Sequence, residues 1–131
     1  MAEQALVVAE GLTKRFAASL KPAIDQISAR VGPGRVTGLV GPDGAGKTTL
    51  LRLFAGLLLP DAGRLTVCGA NTRTQLAALR HSVSYMPQRF GLYEDLSVQQ
   101  NLNLYADLRG VVGPEREQAF ERLLAFTDLK R

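Results

Sequence analysis

The sequence predicts a mixed α/β fold, and three observations lead to that prediction. Short apolar runs alternate with stretches in which apolar residues recur every three or four positions, as expected for strands alternating with helices. A glycine-rich segment at residues 41–48 lies between a strand-like apolar run and a helix-like stretch. The last third of the chain has helix-like spacing. The 131 residues, 46% hydrophobic and 21% charged, are typical of a globular domain or part of one.

The first strands are predicted at residues 6–9 and 24–31, on either side of a polar stretch. A Gly-Pro-Gly turn follows at residues 32–34. The next run, Val-Thr-Gly-Leu-Val at residues 36–40, has the short apolar form of a strand covered on both faces in a parallel sheet. These residues therefore predict the strand that leads into the glycine-rich segment.

A helix is predicted over residues 48–58, where leucines and a phenylalanine recur at helical spacing. Further strands are predicted at residues 65–68 and 83–86, with a short helix at residues 75–80 between them. The single cysteine, Cys68, ends the first of these strands, and we expect it to be a small buried apolar residue.

The carboxyl-terminal third is predicted to be helical. Ser97, with a glutamine three residues later, forms a capping-box pattern, and the helix after it extends to about Arg109. Pro114 lies at the expected first turn of a second helix. We therefore assign residues 1–96 to the α/β part and residues 97–131 to a helical part.

The glycine-rich segment matches G-x-x-x-x-G-K-[ST] at every fixed position. Its glycines permit backbone angles that direct successive N–H groups at one anion, and the following helix directs its electropositive end there. We expect Lys47 to reach the β- and γ-phosphates and the Thr48 hydroxyl to ligate Mg²⁺. The alternative is a glycine-rich turn with an incidental lysine. The candidate nucleotide-binding residues are Gly41, Pro42, Asp43, Gly44, Ala45, Gly46, Lys47, Thr48 and Thr49.

Four stretches resemble the nucleotide-binding subunits of ABC transporters, and the resemblance extends over essentially the whole chain. They lie at residues 11–16, 38–50 and 57–63, and at residues 83–88 together with 91–98. Asp43 stands where the family more often has asparagine. With Tyr-Met-Pro-Gln and Gly-Leu-Tyr-Glu-Asp-Leu in the last stretch, it makes the chain most similar to the ATP-binding proteins of ABC-2-type exporters, the YbhF-like branch.

This resemblance implies a P-loop NTPase core with antiparallel amino-terminal strands, followed by the start of the family's α-helical subdomain. It implies ATP and Mg²⁺ as cofactors, with Phe16 stacking on adenine. It also implies that Gln88 contacts Mg²⁺ and the attacking water, which makes Gln88 a catalytic candidate beside Lys47. From the residues alone, Phe16 could instead be a core or rim aromatic and Gln88 a polar loop residue.

The resemblance further implies two protein partners. One is the transmembrane permease of an exporter, reached through the loop at residues 89–95, although Leu92 and Tyr93 could be ordinary loop packing. The other is a second nucleotide-binding domain, as a homodimer or in tandem. The protein is then expected in the cytoplasm, at the inner face of the membrane. A net charge of +4 without a clustered basic stripe predicts no nucleic-acid partner.

The 131 residues contain no Leu-Ser-Gly-Gly-Gln-like signature and no apolar strand ending in Asp-Glu. The resemblance therefore implies an incomplete core, truncated before the signature, the Walker B aspartate and the catalytic glutamate. Because phosphoryl transfer needs a positioned water and a supported metal, we expect MgATP binding without appreciable hydrolysis by this chain alone. We also expect the chain to associate with another chain, because an apolar strand would have an uncovered flank.

Several functions remain open at this point. The leading interpretation is the ATPase subunit of an exporter of drugs or small molecules. The main alternative is a nucleotide-binding or assembly module without turnover. A GTPase is disfavoured because the D-x-x-G at residues 107–110 ends a predicted helix and no Asn-Lys-x-Asp follows. A small-molecule kinase is disfavoured because no arginine-rich lid is evident.

Overall fold

The computed structural model describes residues 5–89 and 91–128. They form two compact units, one within Met1–Tyr85 and the other within Met86–Arg131. The assignment of residues 1–96 and 97–131 to separate domains stays a prediction. In the described part of the first unit are four strands, β1 (Val7–Lys14), β2 (Ile24–Val31), β3 (Ala62–Val67) and β4 (Ala70–Asn71), and two helices, α1 (Lys47–Phe54) and α2 (Leu76–Ser82).

The strands form an antiparallel sheet in the order β2-β1-β3-β4. At its centre Ala9 of β1 pairs with Ala29 on one side and with Leu65 on the other. Alternate residues of a strand face one side of the sheet, and α1 and α2 supply leucines to that side. The resulting core consists of Ala9, Leu12, Ile24, Leu50, Leu53, Leu65, Val67 and Leu79. The fold is therefore mixed α/β with antiparallel amino-terminal strands, as expected.

Two strand predictions are wrong for this structure. Residues 36–40 and 83–86 belong to no strand of the described sheet. Val36 and Val40 are almost fully exposed, at 102% and 94%. An apolar run is stable as an interior parallel strand only when neighbours supply hydrogen bonds on both sides, and the described sheet pairs β1 to β4 with one another.

Helix α1 also differs from its prediction, because it ends at Phe54 rather than near residue 58. Gly56 follows with a φ of 69°, a left-handed conformation that stops a helix. A Cβ on Gly56 would lie 2.7 Å from a Leu79 methyl, so α2 packs closely on this turn. The expectation that Cys68 is buried in a strand is wrong as well. Cys68 is exposed in the β3–β4 turn, with a φ of 50°.

The second unit contains helices α3 (Val98–Arg109) and α4 (Gly113–Thr127) among its described residues. The predicted capping box is confirmed. The Ser97 hydroxyl accepts the Gln100 N–H at 3.2 Å, and the Gln100 side chain accepts the Ser97 N–H at 2.8 Å. Pro114 lies in the first turn of α4, where the missing N–H removes no helical hydrogen bond.

Candidate functional site

The glycine-rich loop at residues 41–46 opens helix α1, as the motif predicts. Gly44 and Gly46 have φ values of 77° and 87°, which L side chains rarely adopt. Gly46 is the N-cap of α1, and no side chain caps the helix. Since the first N–H groups of a helix have no intrahelical acceptor, this end of α1 can bind an anion.

The packing of Gly46 fixes where the loop lies on the sheet. A Cβ on Gly46 would lie 2.3 Å from the Ala23 carbonyl oxygen and 3.0 Å from the Cδ1 of Ile24, the first residue of β2. The loop backbone therefore approaches the chain just before β2 more closely than any side chain allows. Gly46 is required both for its backbone angles and for this contact.

The side chains of the loop suit a phosphate ligand. The Lys47 ammonium donates to the Gly41 and Pro42 carbonyl oxygens, each at 2.7 Å, so it lies over the start of the loop. Thr48, in the first turn of α1, is exposed. This turn thus combines an ammonium, a hydroxyl and a helix N-terminus, a set of groups that fits a nucleoside triphosphate with Mg²⁺. The segment runs from Gly41 to Thr49, and its remaining residues are Pro42, Asp43, Ala45 and Thr49.

Phe16 lies in the same unit as the loop, just beyond β1. Its side chain is 42% exposed, so it is not a core aromatic. The Lys14 ammonium lies over the ring, 5.8 Å from its centroid. The Lys14 carbonyl oxygen accepts the Ala23 N–H at 2.8 Å. Because the Ala23 carbonyl in turn contacts Gly46, one short path connects the Phe16 segment to the phosphate loop.

Asp61 also belongs to this region, although it lies outside the predicted site residues. Its N–H donates to the Thr13 carbonyl oxygen at 2.9 Å. Its carboxylate accepts the Arg15 N–H at 2.6 Å and the Lys14 ammonium at 2.9 Å. The Arg15 N–H, followed by the Lys14 ammonium, lowers the pKa of the Asp61 carboxyl below its ordinary value of 3.8. The sequence signal was weak, since Pro-Asp-Ala-Gly indicates only a turn.

Gln88 lies in the second unit, whereas the phosphate loop lies in the first. It is exposed in an irregular segment after residue 87. The predicted roles of Gln88 in metal binding and catalysis stay predictions.

An apolar groove of about 470 Å³ lies at the start of α3. Asn101, a buried lining residue, accepts the Tyr93 N–H at 2.9 Å and donates to the carbonyl oxygens of Tyr93 and Leu96. The Tyr105 hydroxyl donates to the Gly91 carbonyl. Gly91 and Tyr93, in the loop predicted to meet a permease, are thus hydrogen-bonded to α3 side chains. Residue 90 of that loop lies outside the described residues. The groove is lined by Leu92, Tyr93, Glu94, Leu96, Val98, Asn101, Leu102 and Tyr105.

Comparison with known proteins identifies the family. The family model described as ABC transporter matches residues 24–131. The chain belongs to the ABC transporter family. The phosphate loop, α1 and the whole of the second unit lie inside the matched residues.

Three ABC relatives illustrate the similarity. A probable multidrug ABC transporter ATP-binding protein, YbhF, of Escherichia coli (strain K12) is 56% identical over 95% of this chain and 22% of its own length. The daunorubicin resistance ATP-binding protein DrrA3 of Streptomyces coeruleorubidus is 38% identical over 98% of this chain and 40% of its own length. A Nod factor export ATP-binding protein I of Rhizobium etli is 36% identical over 84% of this chain and 35% of its own length. The chain spans less than half the length of each.

Solved ABC structures share the fold. An ATP-binding subunit of an ABC transporter superposes with a TM-score of 0.78 at 27% identity, over 92% of this chain and 49% of that one. A dimeric ATP-binding cassette in a post-hydrolysis state, bound to ADP and Pi, superposes with a TM-score of 0.79 at 22% identity. This match covers 95% of this chain and 58% of that one. Among the residues that the structure describes, no helix is long and apolar enough to cross a membrane.

Proposed function

We propose that this chain is the nucleotide-binding part of the ATPase subunit of an ABC exporter and that it binds MgATP at the phosphate loop. The observation that carries the proposal is the geometry of the loop itself. Two left-handed glycines, Gly44 and Gly46, turn the backbone into the N-terminus of α1, with the Lys47 ammonium over the loop. Glycine-rich turns that serve only to connect elements have no need of such a cation.

The roles proposed for individual side chains follow from their positions. Lys47 binds the β- and γ-phosphates, and Thr48 ligates Mg²⁺ from the first turn of α1. Phe16 stacks on adenine with its exposed ring. Gln88, also a candidate Mg²⁺ ligand, orients the attacking water in the assembled enzyme. Bound Mg²⁺ would neutralise charge that develops on the phosphates.

The proposed partners are a transmembrane permease and a second nucleotide-binding domain. The groove beside α3 supports the first, because Leu92 and Tyr93 are 55% and 58% exposed in a loop that Asn101 holds in shape. The relatives, which include a multidrug transporter protein, a daunorubicin resistance protein and a Nod factor export protein, support an exporter of drugs or small molecules. The chain would then act in the cytoplasm, against the inner face of the membrane.

Turnover is proposed to be negligible for these 131 residues alone. Their sequence holds no carboxylate pair after an apolar strand and no signature segment. Phosphoryl transfer without a positioned base and without added charge stabilisation loses most of its acceleration. A nucleotide-binding or assembly module without turnover is therefore the second candidate function for the isolated chain.

The test is a calorimetric titration of MgATP into the wild-type chain and into Lys47→Ala, with phosphate release assayed on the same samples. We expect Lys47→Ala to weaken binding by at least about tenfold, because a charge-assisted bond contributes roughly 1.5–3 kcal/mol. Neither protein should release phosphate above background. Equal binding by both would contradict the phosphate-loop assignment, and release that depends on Lys47 would contradict the proposed lack of turnover.

A further inference from the structure

The structure assigns to Asp61 the role of a positioning residue for the nucleotide base, acting through Lys14 and Arg15 on Phe16. The inference rests on the proposed stacking of Phe16 on the base. It adds a residue that touches neither the base nor the phosphates. Asp61 instead controls where the aromatic ring lies.

The first step is the way the chain leaves the sheet. The β1–β3 ladder closes at the pair Thr13 and Ala62, and β1 ends at Lys14. Beyond that point Asp61 continues the pairing, with its own N–H on the Thr13 carbonyl and its carboxylate on the Arg15 N–H. The residue immediately before Phe16 is therefore fixed by a carboxylate rather than by a strand.

The second step concerns the faces of the ring. The Lys14 side chain is only 15% exposed, and its ammonium lies 2.9 Å from the Asp61 carboxylate and 5.8 Å from the centroid of the Phe16 ring. A cation held over one face of an aromatic ring is favourable, and it occupies that face. The opposite face is then the one presented to a planar ligand. Without Asp61, the ammonium would be free to leave the ring.

The third step is the connection to the phosphate loop. The Lys14 carbonyl accepts the Ala23 N–H, and the Ala23 carbonyl lies against Gly46. Asp61 therefore fixes the end of β1 from one side, while Ala23 links that end to the loop from the other. A base and its phosphates are a fixed distance apart, so the aromatic ring must be held relative to the loop.

The test compares two ligands that differ in having a base, MgATP and magnesium tripolyphosphate. Their dissociation constants are measured for the wild-type 131-residue chain and for three single variants, Asp61→Asn, Asp61→Ala and Phe16→Ala. A double variant combines Asp61→Ala with Phe16→Ala. We expect Asp61→Ala to weaken MgATP binding by roughly threefold to tenfold, the range for losing an aromatic contact, and to change tripolyphosphate binding by less than twofold. Asp61→Asn, which keeps an acceptor for the Arg15 N–H, should have a smaller effect in the same direction.

The double variant and a matched ion pair complete the design. If Asp61 acts through Phe16, the double variant binds MgATP no more weakly than Phe16→Ala alone. Asp107→Asn breaks a different ion pair, Asp107–Arg116 at 2.6 Å in the second unit, and should leave the binding of both ligands unchanged. Should Asp61→Ala fail to fold, Lys14→Met removes the cation from the ring and is expected to give the same selective loss.

Three results would overturn the inference. Equal weakening of both ligands by Asp61→Ala would mean that Asp61 supports the phosphate loop and not the base. Additive losses in the double variant would mean that Asp61 acts independently of Phe16. Unchanged MgATP binding by Phe16→Ala would mean that Phe16 does not stack on the base, and Asp61 would then have no such role. If Lys47→Ala still weakened MgATP binding, the phosphate-loop proposal would stand on its own.

Discussion

At the scale of single residues, Gly46 is where backbone angle and close packing coincide. We expect Gly46→Ala to destabilise the chain by roughly 2–4 kcal/mol, because an L side chain is strained at this φ and its Cβ would overlap the Ala23 carbonyl. Gly44→Ala is the matched control. Its φ is similar, at 77°, but no atom lies within 4 Å of the added Cβ, so the cost should be about 1 kcal/mol. Urea unfolding measures both, and equal losses would contradict the packing argument.

Asp61 yields a residue-scale prediction about pH. Its folded pKa is lowered from 3.8 by the Arg15 N–H and then by Lys14. A lowered pKa means that the stabilising contribution is complete above the unfolded pKa and is lost as pH falls through the folded value. The destabilisation caused by Asp61→Asn should therefore be constant from about pH 5 to pH 8 and should shrink only in more acidic solution.

An NMR titration of the Asp61 carboxyl checks this directly. Its midpoint should fall below 3.8 in the wild-type chain and should move back towards that value in Lys14→Met, which removes one of the two main causes. A titration at the ordinary value in the wild-type chain would show that the two contacts are too weak to matter in solution.

The sequence predicts the residues of the phosphate loop because each fixed position of the motif has its own chemical task. It does not predict Asp61 and Ala23, because their contacts are made across the sheet by residues distant in sequence. A turn such as Pro-Asp-Ala-Gly indicates a change of direction, but it does not indicate which strand end the carboxylate will meet. Roles that depend on pairing register are therefore found in the structure.

At the scale of elements, the start of α3 depends on two side chains of different kinds. Ser97 caps the helix, and we expect Ser97→Ala to cost about 1 kcal/mol of unfolding free energy. Asn101 satisfies several backbone groups of the preceding loop, so Asn101→Ala should cost more, roughly 2–3 kcal/mol. Leu108, 70% exposed on the same helix, is the control, and its replacement by alanine should be nearly neutral.

Amide hydrogen exchange in the same variants locates the effect. Asn101→Ala should speed exchange of the Tyr93 N–H, whereas Ser97→Ala should affect chiefly the Gln100 N–H. If Asn101→Ala leaves Tyr93 protected, the loop is held by contacts other than the asparagine side chain.

Among the elements, those with local signals were predicted well. The capping box located α3, and apolar spacing located α1 and α4, because these signals lie within the helix itself. The apolar runs at residues 36–40 and 83–86 gave no strand, since a strand depends on partners elsewhere in the chain. A helix can be predicted from its own residues, whereas a strand also requires hydrogen-bonding partners that its own residues do not specify.

At the scale of the whole chain, the run at residues 36–40 presents apolar side chains to water. Val36 and Val40 are almost fully exposed, and Leu39 is 45% exposed. Adjacent exposed apolar residues promote association more than scattered ones do. We expect sedimentation velocity to show concentration-dependent self-association of the chain, and Val36→Lys with Val40→Lys to reduce it.

Leu20 is the matched control for that experiment. It is 101% exposed, as Val36 and Val40 are, but lies in a polar stretch of the first unit. Leu20→Lys should therefore leave the self-association almost unchanged. A wild-type chain that is monomeric at every concentration and unfolds cooperatively would contradict the role given to residues 36–40.

The two hydrogen bonds of Lys47 have a thermodynamic consequence for ligand binding. A lysine side chain loses up to about 2 kcal/mol of rotamer entropy when it is immobilised. Here two hydrogen bonds within the chain, to the Gly41 and Pro42 carbonyls, confine the ammonium. Part of the ordering is thus a property of folding and not of binding. The loop itself therefore preorganises the cation, and a phosphate meets a lysine whose conformational freedom has largely been removed.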